Sequence, residues 1–345
     1  MDGATTPFDA RQKALDRPIV RAVSGDTMPK LTQSQIKAVI SAREKEARAD
    51  SKLRTAMLAR MQAVRRQGEK ALTAHLKKTG FDFGAYDRIR AQQRAEMQRL
   101  LKQAEAATIK RSSSRRKQLA YGVQKWREKV ERFRGATRVS PFVPVFEVIE
   151  TPFLIWKTSR LDLVDSHIQP WNNRAKVRGL WPGTGNENLR FVFVWQNPND
   201  TWVIVNVESY LAANGACDAF AAGGLLSGTI NSVWVQATLN VWEWWHHPPT
   251  LLPPQATQTQ KVLSVVTHGG GFLSNLGGGT VESASANGLF DVRRTLVSLP
   301  PRGVAVFEVA LEFFYDNTGG GMIQARFASG DFGVMCPAVV MAVLS

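Results

Sequence analysis

Apolar and polar side chains alternate over much of the C-terminal half of the chain, with the period of two that suits a β-strand. In the segment 228–244 one parity is apolar and the other is more polar. The apolar set is Val233, Val235, Ala237, Leu239 and Val241, and the polar set is Gln236, Thr238 and Asn240. The segment 304–315 repeats the pattern, with Glu308 and Glu312 on its polar side. Both patterns predict strands that turn one face toward a core.

Turn-forming residues separate these alternating segments. Pro182-Gly183, Asn214-Gly215 and Pro300-Pro301 lie between runs that are rich in Val, Ile, Thr, Phe and Trp. No helical pattern interrupts the series after about residue 139. Many short strands joined by turns are typical of an antiparallel β-sandwich, and we expect a jelly-roll-like, Trp-rich sandwich domain over residues 139–345.

The N-terminal part follows a helical period instead. Spacings of three and four between apolar residues predict helices over about 31–78 and 85–109. We expect Lys110–Lys117 to break or bend this run, and a third helix to end at Gly135. Residues 1–30 contain several Pro and Gly and are expected to form a flexible arm. The chain is therefore predicted to be a multi-domain α+β protein, in which a basic helical bundle or coiled-coil segment over 31–138 precedes the sandwich.

The predicted third helix carries the most regular apolar seam. Its members are spaced by four, three, four and three residues, and they are Leu119, Val123, Trp126, Val130 and Phe133. This is the a/d spacing of helices that pack side by side. We interpret the seam as an oligomerisation surface. An intramolecular hairpin or bundle explains it equally well, because two heptads are short for a coiled coil.

Charge divides the chain at the same place as the hydrophobic period. Residues 1–140 hold 33 Lys and Arg against 14 Asp and Glu, a net of +19, whereas residues 141–345 hold 11 against 15, a net of −4. Any polyanion, such as a nucleic acid or an anionic surface, would therefore meet the N-terminal part. The candidate contacts are Arg111, Arg115, Arg116 and Lys117, in a patch that a solvated helix surface also explains. The absence of a base-reading motif argues against sequence-specific recognition.

Tryptophan is distributed in the opposite way, since only one of ten Trp precedes residue 150. The end of the 228–244 segment and the turn after it supply the ligand or interface candidates, which are Trp242, Trp244, Trp245, His246 and His247. The first two share a parity and are predicted to line one face of a strand. Exposed indoles stack on sugars and anchor protein interfaces, whereas core packing is the alternative for any one of them.

No residue pattern predicts catalysis, a metal centre or a cofactor. The adjacent histidines match no metal-ligand spacing, and the glycine triplets lack the Lys-Ser/Thr of a phosphate-binding loop. Cys217 and Cys336 are predicted to be small buried hydrophobes rather than a disulfide. The first twenty residues are charged, so we predict no signal peptide, and no segment reaches transmembrane length. Synthesis in the cytoplasm is the default, and export by a non-classical route or in a particle stays open.

These observations predict a non-enzymatic structural, assembly or binding protein, such as a fibre, shell or surface component. The helical part would oligomerise or anchor the protein, and the sandwich head would self-associate or bind a ligand. We expect a homo-oligomer. Two alternatives use the same division of the chain: a capsid-like subunit that holds nucleic acid through the basic region, and a carbohydrate-binding head.

Overall fold

A computed structural model of the chain describes residues 19–22, 67–134, 144–221, 229–244, 257–270, 280–317, 321–328 and 333–344, with a few single positions between 45 and 64. After residue 144 most of these residues are in strands, and the strands form two facing sheets. The prediction of an antiparallel β-sandwich is confirmed. Most of the predicted arm and of the first predicted helix lie outside the described residues, although residues 67–78 are helical.

Sheet A is built around one long strand, β7 (Val203–Ala221). Along one edge of β7 runs the antiparallel strand β10 (Thr280–Leu299). The other edge is shared by three shorter strands, which are β12 (Gly321–Phe327), β13 (Val334–Met335) and β14 (Val339–Leu344). The strand β7 therefore holds the sheet together from end to end.

Four more strands extend sheet A beyond β12, β13 and β14. At one end of this edge β2 (Val145–Ile149) pairs with β14, and β1 (Ile19–Ala22) adds a parallel strand to β2. At the other end β5 (Arg174–Trp181) pairs with β12 and β13, and β4 (Leu161–His167) pairs with β5.

Sheet B has five antiparallel strands. They are β3 (Leu154–Lys157), β6 (Gly185–Gln196), β8 (Thr229–Trp244), β9 (Thr257–Gly269) and β11 (Val304–Asn317). Their spatial order is β3–β6–β11–β8–β9, so β11 and β8 lie in the middle of the sheet. The residues that alternate best in the sequence therefore form the centre of sheet B.

The core lies between the two sheets, and the predicted inward-facing residues occupy it. The alternating apolar residues of β8 are all fully buried, as are Phe307, Phe313 and Tyr315 of β11. Trp181 of sheet A stacks flat on Tyr315 of sheet B, with ring centroids 4.4 Å apart and planes within 5°. Burial raises the pKa of the Tyr315 hydroxyl to about 12. Aromatic pairs of this kind join the sheets across the interior.

The turn predicted at Asn214-Gly215 is wrong, because β7 continues straight through it. A Cβ at Gly215 would lie 2.6 Å from the backbone oxygen of Arg326 and 2.6 Å from the ring of Phe327. The glycine therefore allows close packing inside the sheet rather than a change of direction. Asn214 is fully buried beside it, and its backbone N–H donates to the carbonyl of Gly333 over 2.8 Å.

The break predicted at Lys110–Lys117 is also wrong, because one helix runs from Phe83 to Arg134. This long helix contains no Pro, and Ser, Arg and Lys cost at most a few tenths of a kcal/mol each in a helix. Asp82 caps its start by accepting a hydrogen bond from the backbone N–H of Ala85 at 2.9 Å. With 52 residues the long helix is about 78 Å in length. Among the described residues, no helix has a stretch apolar enough to cross a bilayer.

Candidate functional site

The outer face of sheet A is covered by the C-terminal part of the long helix. Trp126 lies edge-on against Trp171 and Tyr210, with ring centroids 5.6 Å and 5.0 Å away. One turn earlier, Val123 packs with Ala212 and Met335 of the sheet. The seam therefore has a partner within the chain, although this partner is a sheet rather than another helix.

The other seam residues extend the same contact. Val130 lies in one apolar cluster with Trp126, and Leu119 is buried as well. Phe133 lies in the last turn of the helix, and its side chain is outside the described part of the structure. Oligomerisation through the seam stays a prediction, and it would require the helix to leave the sheet and expose these side chains.

Trp171 anchors this contact in a strained backbone conformation. Its φ is +64°, a left-handed value that is unusual for a bulky residue. The guanidinium of Arg127 lies 5.5 Å from the centre of its ring, in a cation–π contact. A groove of about 770 Å³ follows this junction of helix and sheet, lined by both acidic and basic side chains of the helix, Glu128, Glu131 and Arg132 among them.

One end of the outer face of sheet B is apolar. There Trp242, only 5% exposed, packs with Val192, Val194 and Val306. Trp242 is thus packed against its neighbours, and its role as a ligand or interface residue stays a prediction. Trp244 ends β8, but its side chain is outside the description, as are Trp245, His246 and His247 altogether.

Charged and amide side chains cross the middle of the same face. Arg190 donates to Glu308 at 2.9 Å in a largely buried ion pair, and its guanidinium lies 5.2 Å from the ring centre of Trp156. Next to it, the carboxylate of Glu312 accepts hydrogen bonds from Gln236 at 2.8 Å and Thr238 at 3.0 Å. These hydrogen bonds hold the carboxylates of Glu308 and Glu312 in place, whereas Nε of Arg190 has no acceptor among the described residues.

The far end of the outer face of sheet B is open, and it carries an aromatic pair. Trp234 is 45% exposed and stacks on Phe314, with ring centroids 5.1 Å apart and planes within 11°. Val266 of β9 and Ile230 of β8, both about half exposed, lie one and two rows farther along the same face. We call these four residues the aromatic patch. Apolar side chains grouped in this way on a sheet face mark binding surfaces.

Two asparagines border the aromatic patch. Register places Asn186 opposite Phe314 and Asn188 opposite Glu312. The amide oxygens of both are buried and accept no hydrogen bond within the described part of the chain. Buried polar atoms usually find a partner. Both oxygens are covered by neighbouring atoms, so a ligand on this face does not reach them in the arrangement shown.

Sequence reasoning missed Trp234. The signal was present, because Trp234 has the parity of Gln236, Thr238 and Asn240, the polar face of the same strand. A Trp on the polar parity of a half-buried strand points away from the core. The predicted ligand candidates included the three Trp residues at the end of the strand, Trp242, Trp244 and Trp245, but not Trp234.

The polyanion candidates all lie in the long helix. Arg116 and Lys117 are exposed there, and Arg111 and Arg115 belong to the same continuous helix. From Asp87 to Gln118 every described side chain is exposed, which extends over about 48 Å. The helix holds 15 Lys and Arg against 5 Asp and Glu, a net of +10. Among its described side chains Arg88, Arg99, Lys102, Lys110, Arg116 and Lys117 are exposed basic groups.

Four further ionisable groups of the head are buried, namely Cys217, Cys336, Asp218 and Arg326. Both cysteines are free and fully buried, as predicted, and burial raises the pKa of the Cys336 thiol to about 12. On sheet A, Arg326 donates two hydrogen bonds of 2.8 Å to Asp218, which is 1% exposed. No group of three or more potential metal ligands occurs among the described residues.

The fold and its two outer faces define a β-sandwich protein with one helix-covered face and one partly open, aromatic face. No protein-family model and no curated protein matches the chain. Among solved structures, the enzymatically active domain of tailspike protein 4 of bacteriophage CBA120 is similar over 56% of this chain and 19% of that chain, with 8% identity and a TM-score of 0.22. The chain thus spans about a fifth of that tailspike structure.

Carbohydrate-binding modules give similar values. TmCBM61 in complex with β-1,4-galactotriose matches over 54% of this chain and 90% of that chain, with 9% identity and a TM-score of 0.18. The family 11 module of the cellulase Lic26A-Cel5E of Clostridium thermocellum matches over 57% and 95%, with 8% identity and a TM-score of 0.18. TM-scores this low do not establish a shared fold, so they indicate nothing about the role of this protein.

Proposed function

We propose that the chain is a non-enzymatic structural or binding protein, in which the sandwich is a binding head and the long helix is a basic anchor. The observation that carries this proposal is the contrast between the two outer faces. The helix seam covers sheet A, whereas the aromatic patch leaves apolar rings in solvent on sheet B. A binding partner would therefore meet the head on sheet B.

The exposed part of the long helix supports the role of an anchor. Its apolar side chains Ile89, Leu100 and Ile109 are exposed, and its remaining described residues are mostly polar or basic. A helix that is polar on all sides gains little by standing alone in water. A neighbouring copy or an anionic surface would stabilise it, which agrees with a homo-oligomeric fibre, shell or surface component.

The mass of the full chain in solution tests this proposal. Light scattering over a concentration series should give a multiple of the 38.2 kDa monomer mass. A compact monomer at the highest concentration would contradict the assembly role. A Trp234→Ala variant shows whether the aromatic patch takes part, and Trp202→Ala is the matched control because Trp202 is also exposed, at 55%, but lies outside the patch.

A capsid-like or other polyanion-binding subunit is the second candidate, and the charge of the long helix favours it. The helix carries 15 Lys and Arg against 5 Asp and Glu, so its basic side chains outnumber the acidic ones available to pair with them. Binding of a short single-stranded DNA should weaken steeply with salt, and Arg116→Glu with Lys117→Glu should lower the slope by about two. Lys261→Glu in the head is the control. Binding that is absent or insensitive to salt would remove this candidate.

A further inference from the structure

We infer that the aromatic patch binds the ring face of a pyranose sugar in a neutral glycan chain. The indole of Trp234, which stacks with one face on Phe314, would form the platform with its exposed part, and Gln236 and Glu312 in the next row of sheet B would bind the hydroxyl groups. This inference rests on the proposed function, since it takes the outer face of sheet B as the binding surface, and it names the class of ligand.

The platform has the geometry that a sugar ring requires. A pyranose presents a flat face of C–H groups, which packs on an aromatic plane as other apolar surfaces do. The indole of Trp234 and the ring of Phe314 are nearly parallel, within 11°, and the indole is about half exposed. One flat sugar ring can therefore cover the exposed indole without any movement of the backbone.

Polar groups lie at the right spacing beside the platform. Gln236 and Glu312 lie one row of the sheet, about 6.7 Å, beyond Trp234 and Phe314. The side-chain amide of Gln236 donates a hydrogen bond of 2.8 Å to the carboxylate of Glu312. Sugar hydroxyls donate and accept in the same plane as the ring, so amides and carboxylates one row away are suitable partners.

The sheet holds this arrangement rigid. Trp234 lies between Val233 and Val235, which are both fully buried in the core. Its strand, β8, is hydrogen-bonded to β11 on one side and to β9 on the other. A platform fixed in this way loses little conformational freedom when a ligand binds.

The size of the aromatic patch favours a glycan over a protein partner. A Trp side chain has about 150–250 Å² of surface, so an indole that is 45% exposed offers on the order of 100 Å². With its three neighbours the aromatic patch offers on the order of 300 Å², whereas a stable protein interface needs about 800 Å² on each partner. The area matches one or two sugar rings. An apolar protein surface would be a poor match for the polar strip that adjoins the aromatic patch.

Titration of the full chain with three neutral oligosaccharides tests the inference. The probes are cellohexaose, xylohexaose and laminarihexaose, followed by calorimetry and by tryptophan fluorescence. At least one should bind at millimolar sugar or below, and Trp234→Ala should weaken it by about tenfold, since stacking of one ring contributes about 1.4 kcal/mol. Trp202→Ala should leave the affinity within about twofold, as expected for a residue outside the site.

Three outcomes distinguish failure of the glycan assignment from failure of the proposed binding face. If no hexaose binds but Trp234→Ala changes the oligomeric mass, the glycan assignment is overturned and the aromatic patch is a protein interface. If no hexaose binds and the variant alters neither mass nor stability, both the glycan and the use of this face as a binding surface are overturned. Binding that survives Trp234→Ala would place the sugar elsewhere and overturn the site.

Discussion

The contact between the long helix and sheet A can be tested with Trp126→Ala. Trp126 is 8% exposed and contacts two aromatic rings edge-on, Trp171 and Tyr210. Truncating a buried Trp costs about 3–5 kcal/mol, and the gain in helix propensity returns only a few tenths. We therefore expect local opening of the helix over residues 119–130 to become easier by about 3 kcal/mol, which is roughly a 100-fold change in the opening equilibrium.

Native-state amide hydrogen exchange measures this opening directly. Peptides that cover residues 119–130 should exchange roughly 100-fold faster in Trp126→Ala, while peptides from β8 and β11 should change little. Tyr121→Ala is the control, because Tyr121 is 63% exposed on the same helix and its ring contacts Lys125, 5.4 Å away. Its exchange should stay within about threefold of the wild type. Equal exchange in the two variants would refute the docking of the helix through Trp126.

Two further predictions concern the head. Arg326→Met removes the only described cation that pairs with the buried carboxylate of Asp218 and leaves it the hydrogen bond from Ser283, so urea unfolding should show a loss of about 3–5 kcal/mol. Arg302→Met removes an exposed ion pair and should cost under about 1 kcal/mol. Equal losses would contradict this. Burial raises the pKa of the Cys336 thiol from about 8.5 in the unfolded chain to about 12, so its contribution to stability is complete below about pH 8.5 and is lost above it, by up to about 1.4 kcal/mol per pH unit. Guanidinium unfolding between about pH 9 and 11 should therefore show a shallower decline in Cys336→Ala than in the wild type, and an unchanged slope would contradict the burial of the thiol.

The sandwich could be predicted because its central strands alternate cleanly. The apolar parity of β8 and β11 faces a core on one side, and this period of two survives in the sequence without knowledge of any partner strand. The missed strand β5 alternates as well, with Arg174, Lys176 and Arg178 on one parity, but the alternation is short and ends at Leu180, which breaks it. At Gly215 a local turn signal was outweighed by ring packing between neighbouring strands, which local sequence does not record.

The candidate site was less accessible to sequence reasoning for a similar reason. The position of Trp242 on the apolar end of the outer face depends on Val192 and Val306, which come from two other strands. The partner of the helix seam depends on Trp171, whose left-handed backbone has no signature in its neighbours Pro170 and Asn172. The spacing of the seam residues predicts a packing surface. It does not distinguish a helix from a sheet as the element that packs against it.

A disulfide crosslink between the helix and sheet A tests most directly the claim that the helix covers its own head and leaves sheet B for binding. A Cβ at Gly122 would lie 2.5 Å from Cδ1 of Leu289, so Gly122→Cys and Leu289→Cys should be close enough to bridge with slight adjustment. After mild oxidation, mass spectrometry of the double variant should show this bridge within one chain. A bridge that forms only between two copies, or none at all, would contradict the account.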